Sequence, residues 1–204
     1  MSKTPEQFIS AATQLFAERG FYGVSLAQIT AELGLTKQAL IHHFGTKEKL
    51  YGEVFQALSV RFMTRMHDIE SDHSDPQVRV AIYFHNFLRD ALAAPQDIRL
   101  IQRELLDNLQ RAEQAGRWYL KPFLDALTDD ILKCPAWRVA NRAQTLAFVY
   151  NLLGAISYFA TSQATLAGMY GDDQYDSLSR SFCAEFDQIL RRGLTAGPAA
   201  DSLH

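Results

Sequence analysis

The chain has 204 residues, 48% of them hydrophobic, and a formal net charge of −3. That is enough apolar material for one large or two small cored domains, and the slight acidity excludes a general polyanion binder. Cys134 and Cys183 are too few and too far apart for a disulfide framework, and the opening MSKTPEQF lacks the apolar core of an export signal, so a reduced, cytoplasmic protein is expected.

The first helix opens at Thr4, Pro5 and Gln7, which supply a cap, a first-turn proline and a capping-box partner. Phe8, Ala12, Leu15 and Phe16 form its apolar stripe, and Gly20 ends it. Phe21 and Tyr22 follow in a loop. They are expected to pack beneath this helix, with Tyr22 alternatively reaching a phosphate. Ser25 to Phe44, SLAQITAELGLTKQALIHHF, reads as two short helices joined by a tight turn. Ser25 and Gln28 make a capping box, Leu26, Ile29 and Leu33 share one face, and Gly34 stops the helix. Thr36 caps a second helix from Lys37 to about His43. Leu40 and Phe44 mark its buried side. Gln38, Ala39 and His42 point the opposite way, carrying an amide, a methyl and an imidazole, which suit base edges. Residues 1–50 hold five Lys/Arg against four Glu, so pattern rather than charge carries the expectation of DNA binding.

Thr46 caps a helix expected from Lys47 to about Glu70, with Leu50, Val54, Leu58 and Phe62 inward. Its N-terminus and Lys47 form a natural phosphate site. Ser71 to Asp75 is a polar break. His67, Asp68, Asp72, His73 and Asp75 include metal-ligand types, but without rigid spacing they read as a fraying end, a loop and an N-cap, and no metal is expected. Helices follow at about Gln77–Ala93, Gln96–Leu109 and Arg117–Lys133, where Pro122 implies a kink or a later start. Ala143 to Gly171 contains no charged residue, yet polar residues interrupt it too often for a membrane span, so it should be buried on most sides. Leu146, Val149, Tyr150, Leu153 and Ser157 form a stripe, and Gly154 permits close approach. The last helix, about Gln174–Gly193, repeats Leu178, Phe182, Phe186, Ile189 and Leu190. Two such helices per chain can build a four-helix interface in a two-fold homodimer, for which Leu146, Leu153, Gly154, Ser157, Phe182, Phe186 and Ile189 are the candidate contacts. The tail 195–204 reads as disordered. The fold class is therefore all-α with about nine helices.

Residues 8–50 resemble the DNA-binding domain of TetR-family transcriptional regulators, most clearly in GLTKQALIHHFGTKEKL. Ile41 and His43 stand at two positions where that family has aromatics that commonly touch phosphates, and Gly45 stands where it usually has lysine. The resemblance implies a helix-turn-helix domain over 1–50, and an effector-binding and dimerisation domain over 51–194. It implies a palindromic DNA operator, a small-molecule effector and a homodimer as partners. Ser25, Thr36, Lys37 and Lys47 would then position on phosphates and Gln38, Ala39 and His42 read bases, with Ile41 and His43 flanking that face as further DNA contacts, Ile41 without a hydrogen bond to donate.

No GxSxG, Gly-rich phosphate loop, CxxC or HExxH is present, so no enzyme and no cofactor are expected. The second half is rich in aromatics, which form either a plain core or the wall of an apolar pocket. Phe62, Met66, Phe84, Phe87, Trp118, Phe123 and Phe148, with Arg103 and Asn151 as polar partners, are the candidate effector contacts. The expected effector is apolar or amphipathic. The rival expectation is a helical protein-interaction module that has lost DNA binding.

Overall fold

The computed structural model describes residues 5–107 and 119–199. Among the described residues are nine α-helices and no strand: α1 Pro5–Arg19, α2 Leu26–Glu32, α3 Lys37–Phe44, α4 Lys47–Asp72, α5 Pro76–Ala93, α6 Gln96–Asp107, α7 Lys121–Lys133, α8 Arg142–Tyr170 and α9 Asp172–Ala196, with a 3₁₀ turn at Pro135–Trp137. The all-α class is the one expected from periodicity. The helices gather into two compact units, Met1–Phe62 with Ala94–Lys121, and Met63–Ala93 with Pro122–His204.

Boundaries differ from expectation where proline or glycine had two possible roles. α7 starts at Lys121, so Pro122 lies in its first turn, where a missing N–H is harmless, and makes no kink. Pro76 likewise opens α5, and the Asp75 carboxylate caps it by accepting the Gln77 N–H at 2.8 Å. α9 does not stop at Gly193 and runs on to Ala196, so residues 195 and 196 of the expected disordered tail are helical. Gly193 is there for space: a Cβ on it would come within 2.5 Å of the Phe148 ring. The part of the expected 96–109 and 117–133 helices that falls in 108–118 lies outside the described residues, as do 200–204.

In the first unit α6 docks on α1. Phe8, Ala12, Leu15 and Phe16 of α1, Ile29 of α2, Leu40 of α3, and Leu50, Tyr51, Val54, Phe55 and Leu58 of α4 are all buried. Each large side chain removed from water contributes about 1.5–3 kcal/mol. The Tyr51 hydroxyl donates to Glu104 Oε2 at 2.7 Å. Arg103 donates to the carbonyls of Ala17 (3.1 Å) and Glu18 (2.7 Å), satisfying the exposed C-terminal end of α1. Arg61 of α4 forks onto the Asp97 carboxylate of α6.

In the second unit α5, α8 and α9 pack together, closed by α7. Phe84, Phe123, Leu127, Ile131, Val149, Leu152, Ile156, Phe186 and Leu190 lie in its core. Phe159 of α8 and Phe182 of α9 stack with centroids 3.8 Å apart. A buried ion pair ties α5 to α7: Arg79 donates through Nη2 (2.9 Å) and Nε (3.2 Å) to Asp130. The same guanidinium donates to the carbonyls of His73 and Ser74 in the turn before α5. Burial pushes the Asp130 carboxyl up, but hydrogen bonds from Arg79 and Lys133 outweigh it and hold it below its ordinary range. Trp137 donates from Nε1 to Gly193 O at 3.0 Å and stacks on Phe148, centroids 4.8 Å apart.

Two stability predictions follow from this packing. Gly193→Ala gains up to ~1 kcal/mol of helix propensity but forces Phe148 against Trp137, an overpacking cost of about 1–3 kcal/mol; its melting temperature is expected to fall, and a rise would show that the ring yields freely. Asp130→Asn leaves Arg79 charged and buried, so urea unfolding at neutral pH is expected to show a loss of about 3–5 kcal/mol. Because the folded-state pKa of Asp130 is depressed, its contribution is complete above the unfolded value of about 3.9 and is lost as pH falls through the folded one. The gap between wild type and variant should therefore close in strong acid, and a gap independent of pH would contradict the assignment.

Candidate nucleic-acid interface

Three consecutive helices begin at hydroxyl caps. Ser25 Oγ accepts the Gln28 N–H at 3.2 Å, and the Ser25 N–H donates back to Gln28 Oε1 at 2.7 Å, which closes the expected capping box. Thr36 Oγ1 accepts the Ala39 N–H at 3.3 Å, and Thr46 Oγ1 accepts the Lys49 N–H at 3.2 Å. Each cap satisfies one orphan amide and leaves others of that first turn facing outward, where they suit phosphate oxygens.

Leu40 is fully buried, which fixes the rotation of α3 about its axis. The opposite side then presents Lys37, Gln38, His42 and His43 to solvent, with Ala39 half-buried at its edge. Ile41 is 42% exposed, so its side chain lies on the rim of that face. His43 is braced: its ring lies 5.6 Å from Phe8 of α1, and Phe44 meets Phe8 edge-on at 6.0 Å. Gly45 adopts φ +76° as the C-cap of α3, and its N–H donates to Ile41 O at 2.8 Å. A lysine at that position would be strained in this left-handed conformation, which explains the glycine.

Lys47 is half-buried, with its Nζ 4.3 Å from the centroid of Phe21. Partial burial lowers its pKa, against the opposing charge of Glu48. Phe21 is buried and Tyr22 meets it edge-on at 5.3 Å while remaining 74% exposed. Sequence reasoning missed this cation–π seat. A buried aromatic just after the glycine stop was its only signal, and spacing does not show which lysine will cover it.

The other candidate residues are divided between the two units. Phe62 is buried in the first unit, where Arg103 is engaged by the α1 carbonyls. Phe84, Phe87 and Phe123 are buried in the second unit, Phe148 is stacked on Trp137, and Asn151 is exposed on α8. Trp118 lies outside the described residues. Within the second unit Phe84, Phe87 and Phe123 gather around the Tyr83 ring, with centroids 6.0, 6.1 and 5.4 Å from it, and Met66 is half-buried on α4, while Asn151 faces solvent. Of the candidate dimer contacts, Leu146 and Ile189 are 37% and 57% exposed and Gly154 is exposed, while Leu153 and Ser157 are half-buried. Phe186 instead lies in the core, and Phe182 turns inward onto Phe159. α8 is less buried than expected. Its length and composition would suit a membrane span, but it packs on α5 and α9 by one face and exposes Leu146, Tyr150, Tyr158, Met169 and Tyr170 on another. Among the described residues no group of three or more His, Cys, Asp or Glu could hold a metal ion.

A family model described as bacterial regulatory proteins, tetR family, matches residues 8–54. The regulator LmrA of Bacillus subtilis is 38% identical over 72 residues, 35% of this chain and 38% of its own length. The repressor BdcR of Escherichia coli is 46% identical over 50 residues, 24% of this chain and 25% of its own length. The match thus spans well under half the length of these curated relatives. The fold is shared more widely. The fatty acid degradation regulator FadR from Bacillus halodurans superposes with a TM-score of 0.74 over 93% of this chain and 99% of that one, at 17% identity. FadR from Bacillus subtilis in complex with stearoyl-CoA superposes with a TM-score of 0.67 over 90% and 97%, at 18% identity. The chain thus carries over residues 8–54 a helix-turn-helix head of the tetR type, on an all-α fold that it shares with these solved regulators.

Proposed function

We propose that this protein is a cytoplasmic, homodimeric repressor that binds a palindromic operator and is released by a small-molecule effector. The exposed face of α3, bounded by the capped first turns of α2 and α4, is the observation that carries the reading. α3 lies in the major groove, where Gln38, Ala39 and His42 read base edges. Lys37, Lys47, Ser25, Thr36, Ile41 and His43 line the phosphate side, with donors from side chains or from the helix ends, and Ile41 adding only apolar contact. The uncharged, exposed strip of α8, with Ile189 of α9, supports pairing with a second copy, which places two heads for two half-sites about 34–36 Å apart or a multiple of that. The stearoyl-CoA complex of the Bacillus subtilis FadR is a property of that protein; it supports the reading that a helical unit of this fold can take a small molecule. Such a molecule can act only through different affinities for the DNA-binding and released states.

The test is selection of random duplex DNA by the purified chain, then titration of the enriched sequence across a salt series. An inverted repeat is expected, and its absence would overturn the reading. Gln38→Ala is expected to cost ~1–3 kcal/mol and to relax one base position, whereas Lys37→Ala should weaken all sequences alike and reduce the salt slope by about one. The second expectation concerns assembly. A charge placed in the α8/α9 strip, as in Ile189→Asp, should yield a monomer by sedimentation and abolish binding to the full operator; a dimer that survives it would remove α9 from the interface.

A further inference from the structure

Within the second unit, α4 and α5 enclose an open cleft of about 240 Å³ lined by Arg65, Asp68, Ile69, Tyr83, Asn86, Phe87, Arg89 and Asp90. Three features distinguish it from an ordinary groove. Tyr83 is 4% exposed, and its hydroxyl has no hydrogen-bond partner, an arrangement that is costly unless a ligand supplies an acceptor. That hydroxyl lies in the electrostatic reach of Arg65 and Asp90, both walls of the cleft. The Asp90 carboxylate is shared by two guanidinium groups: Arg65 donates one nitrogen, and Arg89 donates Nε and Nη2 at 3.2 Å each. Since a guanidinium has five N–H donors, both arginines keep donors to offer.

The apolar part of the wall is Ile69 and Phe87, and the Tyr83 and Phe87 rings lie nearly parallel with centroids 6.1 Å apart. The volume is below the ~300–1,000 Å³ usual for drug-sized ligands, so the occupant is small. Asp68 adds a second carboxylate to the wall, which disfavours a multiply charged anion. We infer that the α4–α5 cleft binds a small monocarboxylate with a planar or apolar body, its carboxylate taken by the Tyr83 hydroxyl and the arginines and its body laid on Ile69 and Phe87. This deepens the effector reading above and rests on it for any consequence at the DNA. Of the aromatic set expected from sequence it keeps Phe87 in the wall, with Phe84 and Phe123 packed behind the Tyr83 ring.

Calorimetric titration of the full chain with benzoate and phenylacetate, beside benzamide and inorganic phosphate, tests the assignment. Both acids are expected to bind at one site, with benzamide and phosphate at least about tenfold weaker. Tyr83→Phe keeps the ring and removes an orphaned hydroxyl, so the unliganded variant should melt no lower than wild type while binding the acids about tenfold more weakly; Arg89→Gln should weaken them similarly. Failure of both acids to bind, equal binding of benzamide or phosphate, or affinity unchanged by both substitutions would each overturn the cleft assignment. Release of the selected operator is read separately by anisotropy. Acids that bind without releasing DNA would uphold the cleft and count against the effector reading. An operator complex with no acid binding would uphold the regulator and sink the cleft.

Discussion

The burial of Leu40 is the contact on which the head depends. α3 has eight residues, far fewer than the ~12–15 at which an isolated helix becomes even marginally stable in water. It is helical because Leu40 is wholly excluded from water while Thr36 caps its start and Gly45 turns the chain away from its end. The same contact fixes which side faces out. A one-residue rotation, about 100°, would turn Ala39 or Ile41 into the core, swing Gln38 and His42 off the outward face and turn Leu40 toward solvent. The outward face of α3 and the core are therefore one constraint seen from two sides, and Ile29, equally buried, imposes it on α2.

The second unit is organised by a different economy of charge. Its longest helix, α8, carries no charged residue after Arg142, and its buried face is apolar apart from Thr145, whose hydroxyl donates back to Asn141 O at 3.1 Å. Buried charge is concentrated at Arg79 and Asp130, where one guanidinium satisfies a carboxylate and two turn carbonyls together. Such a pair adds little net stability over an apolar substitute, because desolvation offsets much of the attraction. What it supplies is geometry, since the turn before α5 and the body of α7 can meet only where both ends of Arg79 are satisfied. The Tyr83 hydroxyl, nearby in sequence on α5, lacks that completion.

Sequence made the head legible because its signals are local. Ser25 with Gln28, Thr36, Gly34 and the spacing of Ile29 and Leu40 each act within one or two turns, and the structure repeats them nearly residue for residue. The fold class was legible for the same reason: helical periodicity survives without knowledge of partners. What failed depended on distant contacts. Gly193 looked like a helix stop because nothing nearby in sequence announces the Phe148 ring that needs its empty side. Arg103 looked free to meet a ligand because the α1 carbonyls that take it are 85 and 86 residues away. The aromatic count suggested a pocket, but aromatics fill cores and line cavities equally well. An orphaned hydroxyl in reach of Arg65 and Asp90 is visible only once α4 and α5 are placed together.

The charge balance of the head bears on how it would hold DNA. Its residues 1–50 carry a net charge of only +1, and one of the few cations, Lys47, is drawn onto the face of Phe21. Non-specific affinity comes almost wholly from released counterions, so a head with so few cations gains little from arbitrary sequence. Positioning must then rest on neutral donors, chiefly the outward amides at the starts of α2, α3 and α4. Neutral donors release no counterions, but they are directional, and they reward only a backbone held at the right distance and angle. A head built this way converts less of its binding into loose attraction and more into registry, so the base contacts proposed for Gln38 and His42 would weigh more heavily in the total than on a strongly basic head. The exposed isoleucine and the capping glycine in α3 fit that economy, since each stands where a more adhesive residue would raise affinity for every sequence alike.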